Sequence, residues 1–573
     1  MCSTSIPYAV PRLDGPITRQ RAGDMRQSSD DGWIRSRWRD LVCLLLLTIA
    51  VFLLFETSPR RGDFWWSDAP RHAMDGVFYH DMARALPVAH VKQWAMDYYI
   101  RYPAITVLFY PPLFALVEAV FFGLLGVSNS TAQLTVSAFS LATAYGAYFL
   151  ARRWVGRAAA FSTALLFIGS PAMALWGRQV MLEIPAFAFL IWGSYFLFRY
   201  LDSTKARDLC LVAGFALAAI YTKQSTIFIV PVYLLTLYFA YQTGIFRRKE
   251  FLWSAVLFCV GVVPLAAFTF LWGRINVQQT MGGAWVENSR TTFAGWLYVA
   301  RQWPHQVGWT VLVLSVVYCV GATFRKQWRL RKPAAFFFAV WLVAGYVFFT
   351  LIALKLERYT IFLVFALIFF SILAILRGLP AKIAPFVTVA LAVGIFAHTL
   401  IADHVPYVSG YRAAAQYVCS IAPPGSVVLF SGRRDGSFIF NVRTLPECKS
   451  LTVIRADKLL LVVPGNRSLF GVRELGISES QFQDMLVRYG VLYVVLEPNF
   501  WNDLQSMQML VRVLHHDQFT LLTTVPVIGD RERGESELEI YQNLTPTSQE
   551  KNLIRFELPA FRITVEGKVG HEK

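Results

Sequence analysis

Asp68, Glu183, Arg178, Lys223, Lys355 and Arg358 are the residues of this chain whose types and placement could do chemistry. Each stands in a short polar segment between long apolar runs. Asp68 lies in Phe64-Trp65-Trp66-Ser67-Asp68-Ala69-Pro70-Arg71-His72-Ala73-Met74-Asp75, and Arg178 and Glu183 share Arg178-Gln179-Val180-Met181-Leu182-Glu183-Ile184-Pro185. Lys223 follows Tyr221-Thr222, and Leu354-Lys355-Leu356-Glu357-Arg358-Tyr359 carries the other two bases. Arginine holds a phosphate through its bidentate fork and lysine holds one as a point charge. A carboxylate takes a proton or orients a hydroxyl. Tryptophan favours the membrane interface, but a charge near hydrocarbon costs about 2.5–3.5 kcal/mol unless it faces a wet cavity.

Ordinary roles compete with these. Asp68 also fits a solvated loop acid, and Lys223 at a helix turn fits a lysine that snorkels. Lys355 and Arg358 fit interfacial anchors. Glu183 beside Pro185 fits a helix N-terminus, where a carboxylate suits the dipole. His80 and Asp81 read as loop residues rather than catalysts.

These side chains can act together only if the elements that carry them bring them to one face. The 573 residues are 55% hydrophobic and only 16% charged, against about 25% in soluble domains. The chain therefore reads as a polytopic membrane protein. Its net charge of +17 sits in short clusters between apolar runs, which points to a positive-inside bias rather than to nucleic acid. Residues 1–40 read as a disordered cytoplasmic tail with no cleavable signal. Spans of roughly 17–25 residues are expected near 41–56, 131–151, 157–173, 185–201, 208–222, 226–242, 251–272, 306–324, 334–353, 359–376 and 383–401, about eleven in all. The segment 104–126 is expected to be interfacial or re-entrant, within one large outer loop at 57–130. That choice puts Arg152-Arg153 and every other strong basic cluster on the inner side, and all the candidate site residues on the outer side.

After residue 402 short apolar runs alternate with turn residues. Strands near 426–430, 491–496, 519–527 and 537–541, with a helix near 478–489, predict a small extracytoplasmic α/β domain over 403–545 and a polar tail at 546–573. Cys419 and Cys448 fall in this domain and are compatible with a disulfide or with two free thiols. The seven cysteines show no spacing suited to a metal-thiolate site.

Four motifs in this order resemble the polytopic GT-C glycosyltransferases that use polyprenyl-phosphate sugars, especially the bacterial lipid A aminoarabinose transferases and the protein O-mannosyltransferases. Asp68-Ala69-Pro70-Arg71-His72-Ala73 is similar to the family's first-loop acidic signature, and Tyr110-Pro111-Pro112-Leu113 to its proline-bearing outer helix. Arg178 with Met181-Leu182-Glu183-Ile184-Pro185 resembles the second-loop acid-x-Pro motif. Thr222-Lys223 and Lys355-Leu356-Glu357-Arg358-Tyr359 resemble the two outer basic motifs. The chain departs from the pattern in having Ala69 where a second acid is usual, Glu183 for Asp, and His72 for Tyr.

The resemblance implies a GT-C fold of about 11 transmembrane helices with a C-terminal extracytoplasmic domain. It implies Asp68 as general base with Glu183 as the second catalytic carboxylate, Lys223, Lys355 and Arg358 as donor-phosphate ligands, and Arg178, Arg71 and Tyr359 at the substrates. The donor would be a polyprenyl-phosphate sugar and the acceptor a hydroxyl of a lipid, glycan or protein. Inversion would follow, with no cofactor required and a divalent cation left open. A polyprenyl-diphosphate donor would use the same clamp. A secondary transporter or flippase of lipid-linked sugar is the non-enzyme rival, but transporters place charge at the midplane of repeated halves, and here it gathers at outer helix ends. The expected location is the bacterial inner membrane, with the site on the periplasmic face.

Overall fold

The computed structural model describes residues 24–60, 62–282, 290–463, 467–531, 534–545 and 553–569. Two compact units result, Met1–Leu46 and Leu47–Lys573. The first 23 residues of the expected tail lie outside the described residues. From residue 24 the chain is helical, in α1 (Asp24–Glu56).

Among the described residues, eight helices are long and apolar enough to cross a membrane, and two bent pairs raise this to ten. The bends have local causes. Arg157–Gly169 and Pro171–Gly177 meet at 61°, because proline disfavours helix in the residue before it, here Ser170. Phe293–Val307 and Trp309–Phe324 meet at 119° across Gly308, whose φ of +81° suits only glycine. At the remaining expected span, 208–222, stands the helix Ala206–Thr222, whose 17 residues leave it outside that count. The chain is a multi-pass membrane protein.

The expected outer loop is built of three helices: α2 (Ala69–Ala85), α3 (Val91–Arg101) and α4 (Leu113–Leu125). Pro111 and Pro112 delay α4, whose 13 residues reach only ~20 Å, too short to span. At Gly76 an added Cβ would run into the Glu118 carboxylate, so glycine is what lets α2 and α4 approach. In the helical bundle Phe167, Phe187, Phe362 and Phe365 interlock edge to face around fully buried Trp341, whose indole donates to the Phe362 carbonyl (2.8 Å). Without a hydrophobic drive between helices in lipid, such packing carries the association.

The C-terminal part is a five-stranded sheet of β1 (Val427–Ser431), β2 (Thr452–Arg455), β3 (Val491–Leu496), β4 (Phe519–Pro526) and β5 (Glu537–Asn543), in the order β2-β1-β3-β5-β4. β1 runs parallel to both β2 and β3, while β5 is antiparallel to β3 and β4. Helix Glu479–Arg488 begins in a capping box of Ser478 and Gln481. Cys419 and Cys448 are joined, with Cα atoms 5.2 Å apart.

The polar tail expected after 545 is corrected over 553–568. β6 (Leu553–Leu558) and β7 (Ile563–Lys568) form an antiparallel hairpin whose Ile554, Phe556 and Leu558 are buried. They share one apolar core with Ile100 of α3, so the first outer segment packs into the C-terminal sheet domain.

Candidate active site

Four ionisable side chains meet at the ends of four different elements. Asp68 occupies the N-cap of α2, where an aspartate ordinarily accepts from the first-turn amides. Here its carboxylate makes no capping bond. It turns instead to Arg358 Nη2 (2.8 Å) and accepts from Trp66 Nε1 (3.4 Å). Arg358 sits in the 3₁₀ turn Glu357–Leu363 that leads into the most buried helix. Glu183 opens the helix Glu183–Ser203 and is fully buried. Lys223 caps Ala206–Thr222 with extended backbone, so the chain leaves the helix just as the lysine turns inward.

The second pair closes the group. Glu183 is ion-paired with Lys223, and its Oε1 lies 3.6 Å from Arg358 Nε. Tyr359 lies beneath both cations, its ring 5.1 Å from Lys223 Nζ and 5.5 Å from the Arg358 guanidinium. The quartet is neutral, yet Glu183 Oε2 and Arg358 Nε have no hydrogen-bond partner. Burial would raise the Asp68 pKa, but the Arg358 charge prevails and holds it down at about 2.

These residues line one cavity of about 1460 Å³. One wall is apolar, with Ile220, Val262, Leu265, Phe270, Phe348 and Ile352. The opposite wall comes from the sheet domain. The carboxyl ends of the parallel strands β1, β2 and β3 present Asp435, Arg455 with Asp457, and Trp501 to it. Ligands favour that edge of an open α/β sheet. Arg71 reaches across from α2 to Asp435 (3.0 Å), which also pairs with Arg455, itself bonded to Asp457 (2.7 Å). Asp75 accepts from the Thr106 hydroxyl (2.8 Å) and so fixes the segment carrying Tyr110, another lining residue.

Asp68, Arg71, Glu183, Lys223, Arg358 and Tyr359 are thus brought together as expected sequence neighbours of one site, while Lys355 and Arg178 are not. The Lys355 ammonium donates to the carbonyls of Phe349, Thr350 and Ile352, closing the end of Lys332–Leu351. Arg178 is buried, donating to Ala174 O (3.0 Å) in the preceding turn. His80 and Asp81 lie outside the cavity, and Asp81 pairs with Arg443. Sequence reasoning missed Asp435, Arg455 and Asp457. Their signal was position, since each follows or ends a parallel strand. Among the described residues no three His, Cys, Asp or Glu side chains gather as a metal ligand set. The two acids of the quartet are already matched by Arg358 and Lys223.

The fold is shared with solved structures. ArnT from Cupriavidus metallidurans bound to undecaprenyl phosphate superposes with a TM-score of 0.59 at 14% identity, covering 91% of this chain and 99% of that one. Its apo state gives 0.56 at 14%, over 91% and 100%. The apo Archaeoglobus fulgidus oligosaccharyltransferase gives 0.50 at 12%, over 81% and 70%. What this likeness shows is the fold, shared with ArnT and with the oligosaccharyltransferase. Residues 110–269, less than half of the chain, match the family described as dolichyl-phosphate-mannose-protein mannosyltransferase. No curated protein matches the chain in sequence.

Proposed function

We propose that the chain transfers a sugar from a polyprenyl-monophosphate donor to a hydroxyl of a lipid, glycan or protein, with inversion, at the periplasmic face of a bacterial inner membrane. The observation that carries this is the quartet of Asp68, Arg358, Glu183 and Lys223 on the floor of a cavity with one apolar wall. The lipid chain lies along that wall, and the phosphate meets Lys223 and Arg358, which line the cavity. Binding of undecaprenyl phosphate by ArnT, which has this fold, supports the donor class.

The acceptor hydroxyl is held by Asp68 and attacks the anomeric carbon. The bond from that carbon to the phosphate oxygen breaks, and its electron pair stays on the phosphate. Lys223 and Arg358 stabilise the charge that develops there, most effectively where water is excluded. The leaving phosphate needs no proton, so a base on the acceptor side and cations on the donor side suffice. Glu183 keeps the two cations in place and positions the sugar with Tyr359. The strand ends of the sheet domain contact the acceptor. No step is routed through a metal, because the donor set described above does not form a site for one.

The test is sugar transfer in membranes from a panel of radiolabelled polyprenyl-phosphate sugars to envelope extract. Wild type transfers a label, and Asp68→Asn loses at least about 10²-fold, the usual worth of a general base, while still binding undecaprenyl phosphate. Transfer only from diphosphate-linked donors would move the reading to that donor class. Equal turnover by Asp68→Asn would remove the residue from the chemistry.

A further inference from the structure

Trp66 touches both Asp68 and Arg358, yet the mechanism above gives it no task. It is half-buried on the lining of the cavity, two residues before the base. Its indole Nε1 donates to Asp68 Oδ2 (3.4 Å), and the Arg358 guanidinium stands over its ring, 5.2 Å from the centroid. At 3.4 Å the hydrogen bond is long, and such bonds commonly tighten once substrate is bound. A tryptophan kept as an interfacial anchor turns its polar edge to water. This one turns that edge to a carboxylate.

The Asp68 carboxylate needs a second anchor. Its terminal torsion is broad and roughly two-fold, so a single donor leaves its two oxygens free to exchange places. A bidentate arginine would lock the plane, but the fork of Arg358 is divided. Nη2 bonds Asp68 Oδ2 (2.8 Å), Nη1 lies 3.9 Å from Met181 Sδ, and Nε is turned to Glu183 (3.6 Å). The Trp66 N–H supplies the missing contact, on the same carboxylate oxygen. Among the described residues Oδ1 then has no hydrogen-bond partner, and the Asp68 side chain stays 25% exposed on the cavity lining.

Trp66 is itself held from two sides. Its ring packs at 89° on buried Trp176 (5.3 Å) of the helix Pro171–Gly177. The carbonyl of the preceding Trp65 accepts from Arg434, a buried arginine of the sheet domain that is ion-paired with Glu535 (3.1 Å). We propose that Trp66 is the positioning residue of the base: it holds Asp68 Oδ2 so that Oδ1 faces the acceptor hydroxyl. The inference rests on the glycosyltransferase reading given above. As the acceptor oxygen bonds to the anomeric carbon, its proton passes to Oδ1, and the broken carbon–oxygen bond leaves its electrons on the phosphate. Without the indole N–H, Oδ1 loses its fixed direction, and attack by water on the donor gains on transfer to the acceptor.

The experiment compares wild type, Trp66→Phe, Asp68→Asn and the double variant in the same membranes, with the same donors and extract. Phenylalanine keeps a ring face toward Arg358 and Trp176 and removes the N–H. The readouts are transfer, free sugar released from the donor, and affinity for undecaprenyl phosphate. Trp66→Phe is expected to lose about 10- to 10²-fold in kcat, the worth of a hydrogen bond to a charged group, with the lipid affinity kept. The share of donor hydrolysed to free sugar should rise. On the Asp68→Asn background the same change should cost less than about 2-fold, because a residue that acts through another is not additive with it. Where the Asp68→Asn rate is too low to read, the hydrolysed share decides alone. An unchanged rate and hydrolysed share in Trp66→Phe, or an equal loss on both backgrounds, would overturn the role and leave the glycosyltransferase reading standing. If Trp66→Phe no longer binds the lipid phosphate, Trp66 is a structural residue and the role falls. If wild type transfers nothing from any donor, the function falls and takes this role with it.

Discussion

At the scale of single residues, Lys223 and Lys355 have opposite fates, although both follow the end of an apolar helix. Half-buried Lys223 is ion-paired with fully buried Glu183, and removing one partner of such a pair costs about 3–5 kcal/mol, because the buried charge stays behind. Lys223→Met should therefore lower the unfolding temperature sharply in detergent. Lys223→Met with Glu183→Gln should regain most of the loss and still transfer no sugar, which separates charge balance from chemistry. Lys355→Ala should cost about 1 kcal/mol, the worth of a cation at a helix C-terminus, and leave undecaprenyl phosphate affinity unchanged. The sequence could not divide the two, nor Lys355 from Arg358 three residues on. Which of them faces the cavity depends on where Lys332–Leu351 stops and where the 3₁₀ turn starts, and single-sequence patterns fix such boundaries poorly. Asp68, Glu183, Lys223 and Arg358 were legible for another reason: each departs from the apolar rule at a helix end on one face.

At the scale of elements, the parallel strands do for the upper wall what the helix ends do for the floor. Their carboxyl ends place Asp435, Arg455 and Asp457 above the quartet, and Arg71 of α2 ties that edge down. Asp435 is 5% exposed and serves two arginines at once. Asp435→Ala leaves both without it, and should loosen residues 432–462 to limited proteolysis and hydrogen exchange. Donor affinity should persist while transfer to the acceptor falls, about 10-fold for each 1.4 kcal/mol of lost positioning. Unaltered exchange in that segment would mean that the bridge does not hold the domain. The strands themselves were readable from short apolar runs between turn residues, and β3 agrees with its expected bounds. The hairpin β6–β7 was readable too, in the alternation of Ile554, Phe556 and Leu558 with Arg555 and Glu557. What no local pattern could give is the partner of that buried face, Ile100 of α3, more than 400 positions earlier.

At the scale of the whole molecule, the helices sort charge between two ends. Basic clusters gather at one: Arg153 bonds the Phe198 carbonyl (3.0 Å), and Trp154 packs on Phe198, Phe338 and Phe369. The acids and bases of the cavity gather at the other, beneath the sheet domain. We propose that the first end faces the cytoplasm, in line with the positive-inside bias, and that the second faces an oxidising compartment, which suits the Cys419–Cys448 disulfide. Orientation can be tested on the intact chain with Cys2, Cys43, Cys210, Cys259 and Cys319 replaced by serine and the disulfide kept. Asn502→Cys and Lys326→Cys each place one thiol on an exposed position at opposite ends. In spheroplasts a membrane-impermeant maleimide should label Asn502→Cys at once and Lys326→Cys only after permeabilisation. The reverse pattern would put the cavity in the cytoplasm, where glutathione reduces disulfides and where a donor would have to be presented from the other leaflet. The labelling therefore decides which leaflet carries the donor, and the same geometry of Asp68, Glu183 and the two cations would then have to work from that side.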